Sequence, residues 1–116
     1  MSCKHIVIVD DDPTILELLR RFLSGPEYRI SVARRASVAR SMLLRDHVDL
    51  VLTDARLPGE NGIELTRAAQ ELGIPALIMS GDEEWAIRQG ADASKLLLKP
   101  FGLDVAERRI IAALTA

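Results

Sequence analysis

Three consecutive aspartates, Asp10, Asp11 and Asp12, close the apolar run His5–Val9. A single carboxylate after a strand is readily a helix N-cap, and Asp12, directly before Pro13, suits that role. Asp10 and Asp11 lie further inside and cannot serve it equally. Other apolar runs also end on groups capable of chemistry: Asp54 after Leu50–Thr53, Ser80 after Ala76–Met79, and Lys99 after Lys95–Leu98. If the first and third runs are neighbouring strands, Asp10, Asp11 and Asp54 share one small region. Their repulsion would raise the pKa of at least one carboxyl. A divalent cation relieves that repulsion. An all-oxygen set without His or Cys suits Mg²⁺, Mn²⁺ or Ca²⁺ rather than zinc. Mg²⁺ takes one or two carboxylates and leaves room for a phosphate oxygen.

Taken alone, Lys99 reads equally as a structural ion-pair partner, and Ser80, before Gly81, as a turn residue. Beside an acidic cluster the two supply a fixed cation and a hydroxyl donor. Phosphoryl transfer asks little more of a protein than positioning and charge stabilisation. An aspartate can be the nucleophile and form an acyl phosphate. Asp54 stands alone on its strand end, between the acidic pair and Lys99, and is assigned that role. The residues thus describe a metal-dependent aspartyl phosphorylation site. Arg56 and Asp82, two residues after Asp54 and Ser80, are expected to form an ion pair across its mouth and shield the acyl phosphate. The plain alternative is two solvated charges contributing ~0–1 kcal/mol.

The elements that must position these residues alternate along the chain. Strand-like runs at His5–Val9, Tyr28–Ala33, Leu50–Thr53, Ala76–Met79 and Lys95–Leu98 alternate with helical stretches. The helices span Pro13–Leu23, Ser37–Arg45, Gly62–Leu72, Asp82–Gln89 and Leu103–Leu114. Ile15, Leu18, Leu19 and Phe22 make an apolar stripe on the first helix, and Leu65, Ala68, Ala69 and Leu72 another on the third. Central runs such as Ile6–Val9 and Leu50–Leu52 are apolar at successive positions rather than alternating, so both sheet faces should be covered. Five strands alternating with five helices predict an α/β fold, a parallel sheet with helices on both faces. Gly73 and Gly90 are placed to end helices. In such sheets, sites gather beyond the carboxyl ends of the strands. The end of the second run, near Arg34, offers nothing comparable to the other four.

A chain of 116 residues, 48% hydrophobic and 28% charged, is long enough for one domain with its own core. No apolar run is long enough to span a bilayer, and the N-terminus lacks a signal-peptide profile. The single cysteine, Cys3, forms no internal disulfide, which fits a reducing cytoplasm and an incidental thiol. A net charge of −2 and four aromatic side chains give no case for direct nucleic-acid binding. Arg34, Arg35, Arg40 and Arg45 read as a solvated helix face rather than a contact patch.

The segments "IVIVDDDP", "LVLTDARLPGENG", "LIMSG" and "LLLKPF" resemble, in order, the motifs of two-component response-regulator receiver domains, over essentially the whole chain. Asp54 to Gly62 matches D-x-x-[LM]-P-x-x-[DN]-G throughout. The resemblance implies a single receiver domain over residues 1–116, flavodoxin-like, with strand order 2-1-3-4-5 and the site between the first and third strands. It makes Asp54 the phosphoacceptor. Mg²⁺, or Mn²⁺, is held by Asp11 directly, by Asp10 through water, and by Asp54 and the backbone carbonyl of Arg56. Ser80 matches the switch hydroxyl, Lys99 the lysine that pairs with the phosphoryl group, and Lys99–Pro100 the family's cis peptide. A sensor histidine kinase or histidine phosphotransfer protein is the implied donor and a downstream protein the implied target. With the cysteine usage, charge and hydropathy noted above, a cytoplasmic location is expected, without direct nucleic-acid or membrane contact. The oligomeric state is left open.

Two departures stand out. Leu96 occupies the position where the family usually has a swinging aromatic. The Ser80–Lys99 segment is a few residues short, a deficit expected in the fourth helix. The leading reading is a phosphorelay switch that catalyses only its own phosphorylation and dephosphorylation. The alternative is a degenerate receiver-like module that binds partners without phosphate. A phosphatase with an aspartate nucleophile would need an acid–base aspartate where Arg56 stands.

Overall fold

Strands that are apolar at every position must be covered on both sides, and the computed structural model, which describes residues 3–115, shows how. The order is β1 (Lys4–Val9), α1 (Pro13–Leu23), β2 (Tyr28–Ala33), α2 (Ala36–Arg45), β3 (Leu50–Asp54), then two short strands β4 (Arg56–Leu57) and β5 (Glu60–Asn61). There follow α3 (Gly62–Glu71), β6 (Ala76–Ser80), α4 (Glu83–Arg88), a 3-10 turn (Ala93–Lys95), β7 (Leu96–Leu98) and α5 (Leu103–Thr115). β4 and β5 pair only with each other. The remaining strands form one parallel sheet in the order β2-β1-β3-β6-β7. With the small hairpin set aside, this is the expected 2-1-3-4-5 arrangement.

Alternate residues of each strand serve opposite faces. Ile6 and Ile8 of β1, with Leu50, Leu52, Leu77 and Met79, pack under α1 and α5 against Leu16, Leu19, Leu23 and Ile110. Val7, Val9 and Val51 face the other way, toward Ala39 and Leu43 of α2 and Leu65 and Ala69 of α3. A third cluster, Ala55, Ile63, Ile78, Ala86, Ala91 and Leu96, lies under α4 with half-buried Trp85 packed against it. Each fully buried Ile or Leu contributes ~1.5–3 kcal/mol.

The stripe on α1 differs from the expectation. Leu16, Leu19 and Leu23 are buried, whereas Leu18 and Phe22 are exposed. The helix carries two apolar sets one residue apart, and only docking against β1 and α5 selects between them. On α3 the buried residues are Gly62, Ile63, Leu65, Thr66 and Ala69, and Leu72, past the helix end at Glu71, is exposed. β7 is one residue shorter than expected because Ala93–Lys95 turns as a 3-10 segment. α4 is only six residues long, as the short Ser80–Lys99 spacing predicts. Asp12 caps α1 by accepting the Thr14 N–H, and Gly73 and Gly90 lie just past the ends of α3 and α4. Among the described residues no helix is long and apolar enough to cross a membrane.

Register brings the functional ends level. Val9 pairs with Thr53, so Asp10 and Asp54 leave the sheet side by side. Ser80 pairs with Leu98, and the Lys99 amide donates to the Ser80 carbonyl at 2.8 Å.

Candidate functional site

Asp10 is 1% exposed, and both of its carboxylate oxygens are engaged. Oδ1 accepts the backbone N–H of Asp12 at 2.9 Å, and Oδ2 accepts from Lys99 Nζ at 3.1 Å. The same ammonium group donates to Asp54 Oδ2 at 3.3 Å. One cation therefore bridges two carboxylates that enter from adjacent strands. Its peptide bond to Pro100 is cis, as expected.

The electrostatics follow from this geometry. Burial raises the pKa of Asp54 above the ordinary value, and the Asp10 charge adds to the rise. Lys99 and the backbone amide of Arg56 oppose it without cancelling it. For Lys99 burial works downward, but the hydrogen bond to Asp10 and the charges of Asp54 and Asp10 hold its pKa above the ordinary lysine value. Lys99 is thus a fixed cation, and Asp54 the surplus carboxylate.

Asp10, Asp11 and Asp54 can each offer an oxygen such that the three atoms lie within 4.8 Å of one another. Asp11 is exposed. The donor set is all oxygen, as hard divalent cations require. Each Asp10 oxygen already accepts one hydrogen bond, so Asp10 is the more engaged of the three carboxylates and Asp11 the more open. The residues present therefore fit a Mg²⁺-type ion.

Ser80 is buried at the end of β6, yet its hydroxyl is turned into its own loop. It donates to the Asp82 carbonyl at 3.0 Å and accepts the Asp82 N–H at 3.0 Å. Asp82 caps α4, its Oδ1 accepting the Trp85 N–H at 2.9 Å. Arg56 Nη2 lies 3.8 Å from Asp82 Oδ2, so the expected ion pair forms, between two well-exposed side chains. The Arg56 guanidinium also lies over the Trp85 ring, 4.0 Å from its centroid.

Three residues at the site escaped the sequence reading. Arg34, set aside above, donates from Nη2 to the Asp11 carbonyl at 3.1 Å and ties the end of β2 to the acidic loop. Glu60 accepts the N–H groups of Ala36 and Ser37, both at 3.0 Å, and caps α2 from the hairpin after Asp54. Trp85 roofs the third apolar cluster beside buried Leu96. The other arginines of that basic segment are exposed, with Arg35 3.7 Å from Glu60 and Arg45 3.5 Å from Asp46.

A doubly wound parallel sheet with a lysine-bridged acidic pocket at its switch point defines the class: a flavodoxin-like α/β protein with a site built for anionic chemistry. Within that class the chain belongs to the response regulator receiver domain family, whose pattern matches residues 6–112. It is 35% identical to the response regulator GtcR of Aneurinibacillus migulanus over 115 residues, covering 96% of this chain and 48% of that protein. To the response regulator MprA of Mycobacterium leprae it is 33% identical, covering 95% of this chain and 50% of the relative. The chain thus spans about half the length of these two relatives. Among solved structures it superposes on the signal receiver domain of an HD domain-containing protein from Pseudomonas fluorescens, with a TM-score of 0.87 and 28% identity, covering 98% and 96% of the two chains. It also superposes on the response regulator TrrA of Thermotoga maritima in complex with Mg²⁺-BeF, with a TM-score of 0.82 and 25% identity, covering 96% and 99%.

Proposed function

We propose that this chain is a phosphorelay receiver that takes a phosphoryl group on Asp54 and signals through the surface that responds. The observation that carries the reading is the single ammonium of Lys99, 3.1 Å from Asp10 and 3.3 Å from Asp54, within a three-carboxylate cluster. Asp11, Asp54 and the backbone carbonyl of Arg56 would hold Mg²⁺, or Mn²⁺, with Asp10 contributing through water. When bound, the ion offsets the charge of the carboxylates and phosphoryl oxygens.

The protein groups do the rest. An oxygen of Asp54, made more basic by burial, attacks phosphorus; the P–N bond to a donor phosphohistidine breaks, and its electron pair leaves on the imidazole. Lys99 stabilises the transferring oxygens, and the Ser80 hydroxyl exchanges its bond to Asp82 for one to the phosphoryl group. Hydrolysis of the acyl phosphate resets the site, so catalysis acts only on the chain itself. Beside Lys99, Ile15, Leu18, Phe101 and Leu103 line an apolar groove between α1 and the start of α5. It suits the apolar helix face of a sensor kinase or phosphotransfer protein that presents its histidine to the pocket. The working unit is one receiver domain over residues 1–116, in the cytoplasm, with a protein as its downstream target.

The test is intact mass after incubation with Mg²⁺ and a small phosphodonor, beside Asp54→Ala. One added phosphoryl group in the wild type alone, abolished by prior chelation, is expected. An adduct that persists in Asp54→Ala would falsify the assignment of the nucleophile.

A further inference from the structure

Phosphorylation must be reported to the surface, and the usual aromatic position holds Leu96, a buried aliphatic residue with no ring to swing. An aromatic ring nevertheless stands near the pocket. Trp85, the only tryptophan in the chain, lies on the first turn of α4, half-buried on the cluster that contains Leu96. Its exposed face is covered by the guanidinium of Arg56, which is two residues from Asp54 in sequence. Arg56 begins β4 two residues after Asp54 ends β3, so its side chain springs from the segment that leaves the pocket.

We propose that Arg56 and Trp85 form the switch lever of this chain: phosphorylation of Asp54 draws the guanidinium off the indole and onto the phosphoryl oxygens, releasing Trp85 and the short α4. This inference rests on the phosphoacceptor reading above.

The balance of forces favours the exchange. In the resting state Arg56 is held by an exposed cation–π contact and by a 3.8 Å ion pair with Asp82, both weak holds at a solvated site. A phosphoryl group brings close to two negative charges and three acceptor oxygens within reach of an arginine fork, which binds such groups bidentately. The consequence falls on an element that is easily disturbed. α4 has six residues, too few to be stable by propagation alone, so it depends on its cap and its packing. Its cap is Asp82, and two pocket residues converge on it. Ser80 holds the Asp82 backbone through two hydrogen bonds, and Arg56 sits against the Asp82 carboxylate. A phosphoryl group that recruits Ser80 and Arg56 together removes both restraints on the first turn of α4 and uncovers the indole.

The test is the emission of Trp85, followed while intact mass tracks the adduct formed with Mg²⁺ and acetyl phosphate. In the wild type the emission maximum should shift to the red and acrylamide quenching should rise in proportion to the adduct, then reverse as the phosphoryl group is lost. Mg²⁺ alone should leave the spectrum unchanged. In Arg56→Ala the resting emission should already lie at the red-shifted position. An adduct in the wild type with an unaltered Trp85 spectrum would overturn the lever and leave the phosphoacceptor reading standing. An Arg56→Ala protein whose resting spectrum matches that of resting wild type would overturn it as well. Failure of wild type to form any adduct would remove the phosphoacceptor reading, and the lever with it.

Discussion

Gly62 lies so close to the backbone carbonyl of Asp54 that a β-carbon on it would overlap that oxygen. The contact is locked from both sides. The Gly62 N–H donates to the Ala55 carbonyl at 2.9 Å, and the Thr53 hydroxyl donates to the Asp54 carbonyl at 3.0 Å. The first residue of α3 is therefore a backstop for the strand end that carries the surplus carboxylate. Gly62→Ala forces one backbone away from the other. The expected cost is ~1–3 kcal/mol, as for overpacking elsewhere, together with slower phosphorylation of a displaced Asp54. Chemical denaturation measures the first effect, and an unchanged midpoint would mean that the approach yields easily.

The raised pKa of Asp54 makes a pH-dependent prediction. Its native carboxyl holds a proton to higher pH than the unfolded one, because burial and the Asp10 charge disfavour the anion. The stability this group contributes is present below the unfolded pKa and is lost as pH rises through the folded one. At neutral pH, in chelator, the Asp54 anion therefore costs stability, and Asp54→Asn should melt above the wild type. Lys99 keeps Asp10 as its partner in that variant. The advantage should shrink on acidification toward about pH 4, where the unfolded carboxyl protonates. Equal melting temperatures at neutral pH would count against the burial of this charge.

How far the sequence revealed the fold can be judged residue by residue. The continuous apolar runs identified the sheet because only a doubly covered strand can hide Val7 and Ile8 at once. The meeting of Asp10, Asp54 and Lys99 was legible too, since strand ends converge wherever parallel strands align and these residues end or directly follow strands. The Ser80 hydroxyl, at the end of β6, instead turns into its own loop. What escaped was set by packing between elements distant in sequence. Leu16 or Leu18 could equally face the core until β1 and α5 are in place. Arg34 and Glu60 act through backbone groups of Asp11, Ala36 and Ser37, and no spacing rule links residues that meet only through the fold. The ion pair between Arg56 and Asp82 followed from their equal offsets after Asp54 and Ser80, but the ring beneath Arg56 did not.

Glu60 offers a separate test of how the pocket loop is tied to its neighbour. The residue before α2 is Arg35, which makes no side-chain cap, so the helix start relies on a carboxylate from β5. Two charge-assisted bonds to helix N–H groups make Glu60→Ala cost ~1–2 kcal/mol. Glu60→Gln, which keeps one acceptor oxygen, should lose less. Amide exchange should quicken at Ala36 and Ser37 before it does so elsewhere in α2. If these amides remain protected in Glu60→Ala, the cap is not what orders the helix start.

If Asp54 is the phosphoacceptor proposed above, Arg56 should also bear on how long the signal lasts. In the resting chain its guanidinium lies 3.8 Å from the Asp82 carboxylate, and on the proposed reading the pair screens an acyl phosphate on Asp54 from water. On the lever proposed above, the same guanidinium would cover the approach to phosphorus from closer in once the phosphoryl group is in place. Removing the side chain leaves the backbone carbonyl in place, so the change should fall on access rather than on the groups proposed to hold the metal. An exposed charge in this position offers ~0.2–1 kcal/mol, which corresponds to an up to about five-fold faster loss of phosphate in Arg56→Ala. Arg56→Lys keeps the charge without the planar fork and should fall between the two. Asp82→Asn separates the contributions: it weakens the resting pair but leaves Arg56 free to cover the phosphoryl oxygens, so its lifetime should stay near that of the wild type. A dephosphorylation rate in Arg56→Ala equal to that of the wild type would mean that the pair is two solvated charges and that water reaches the acyl phosphate by another route.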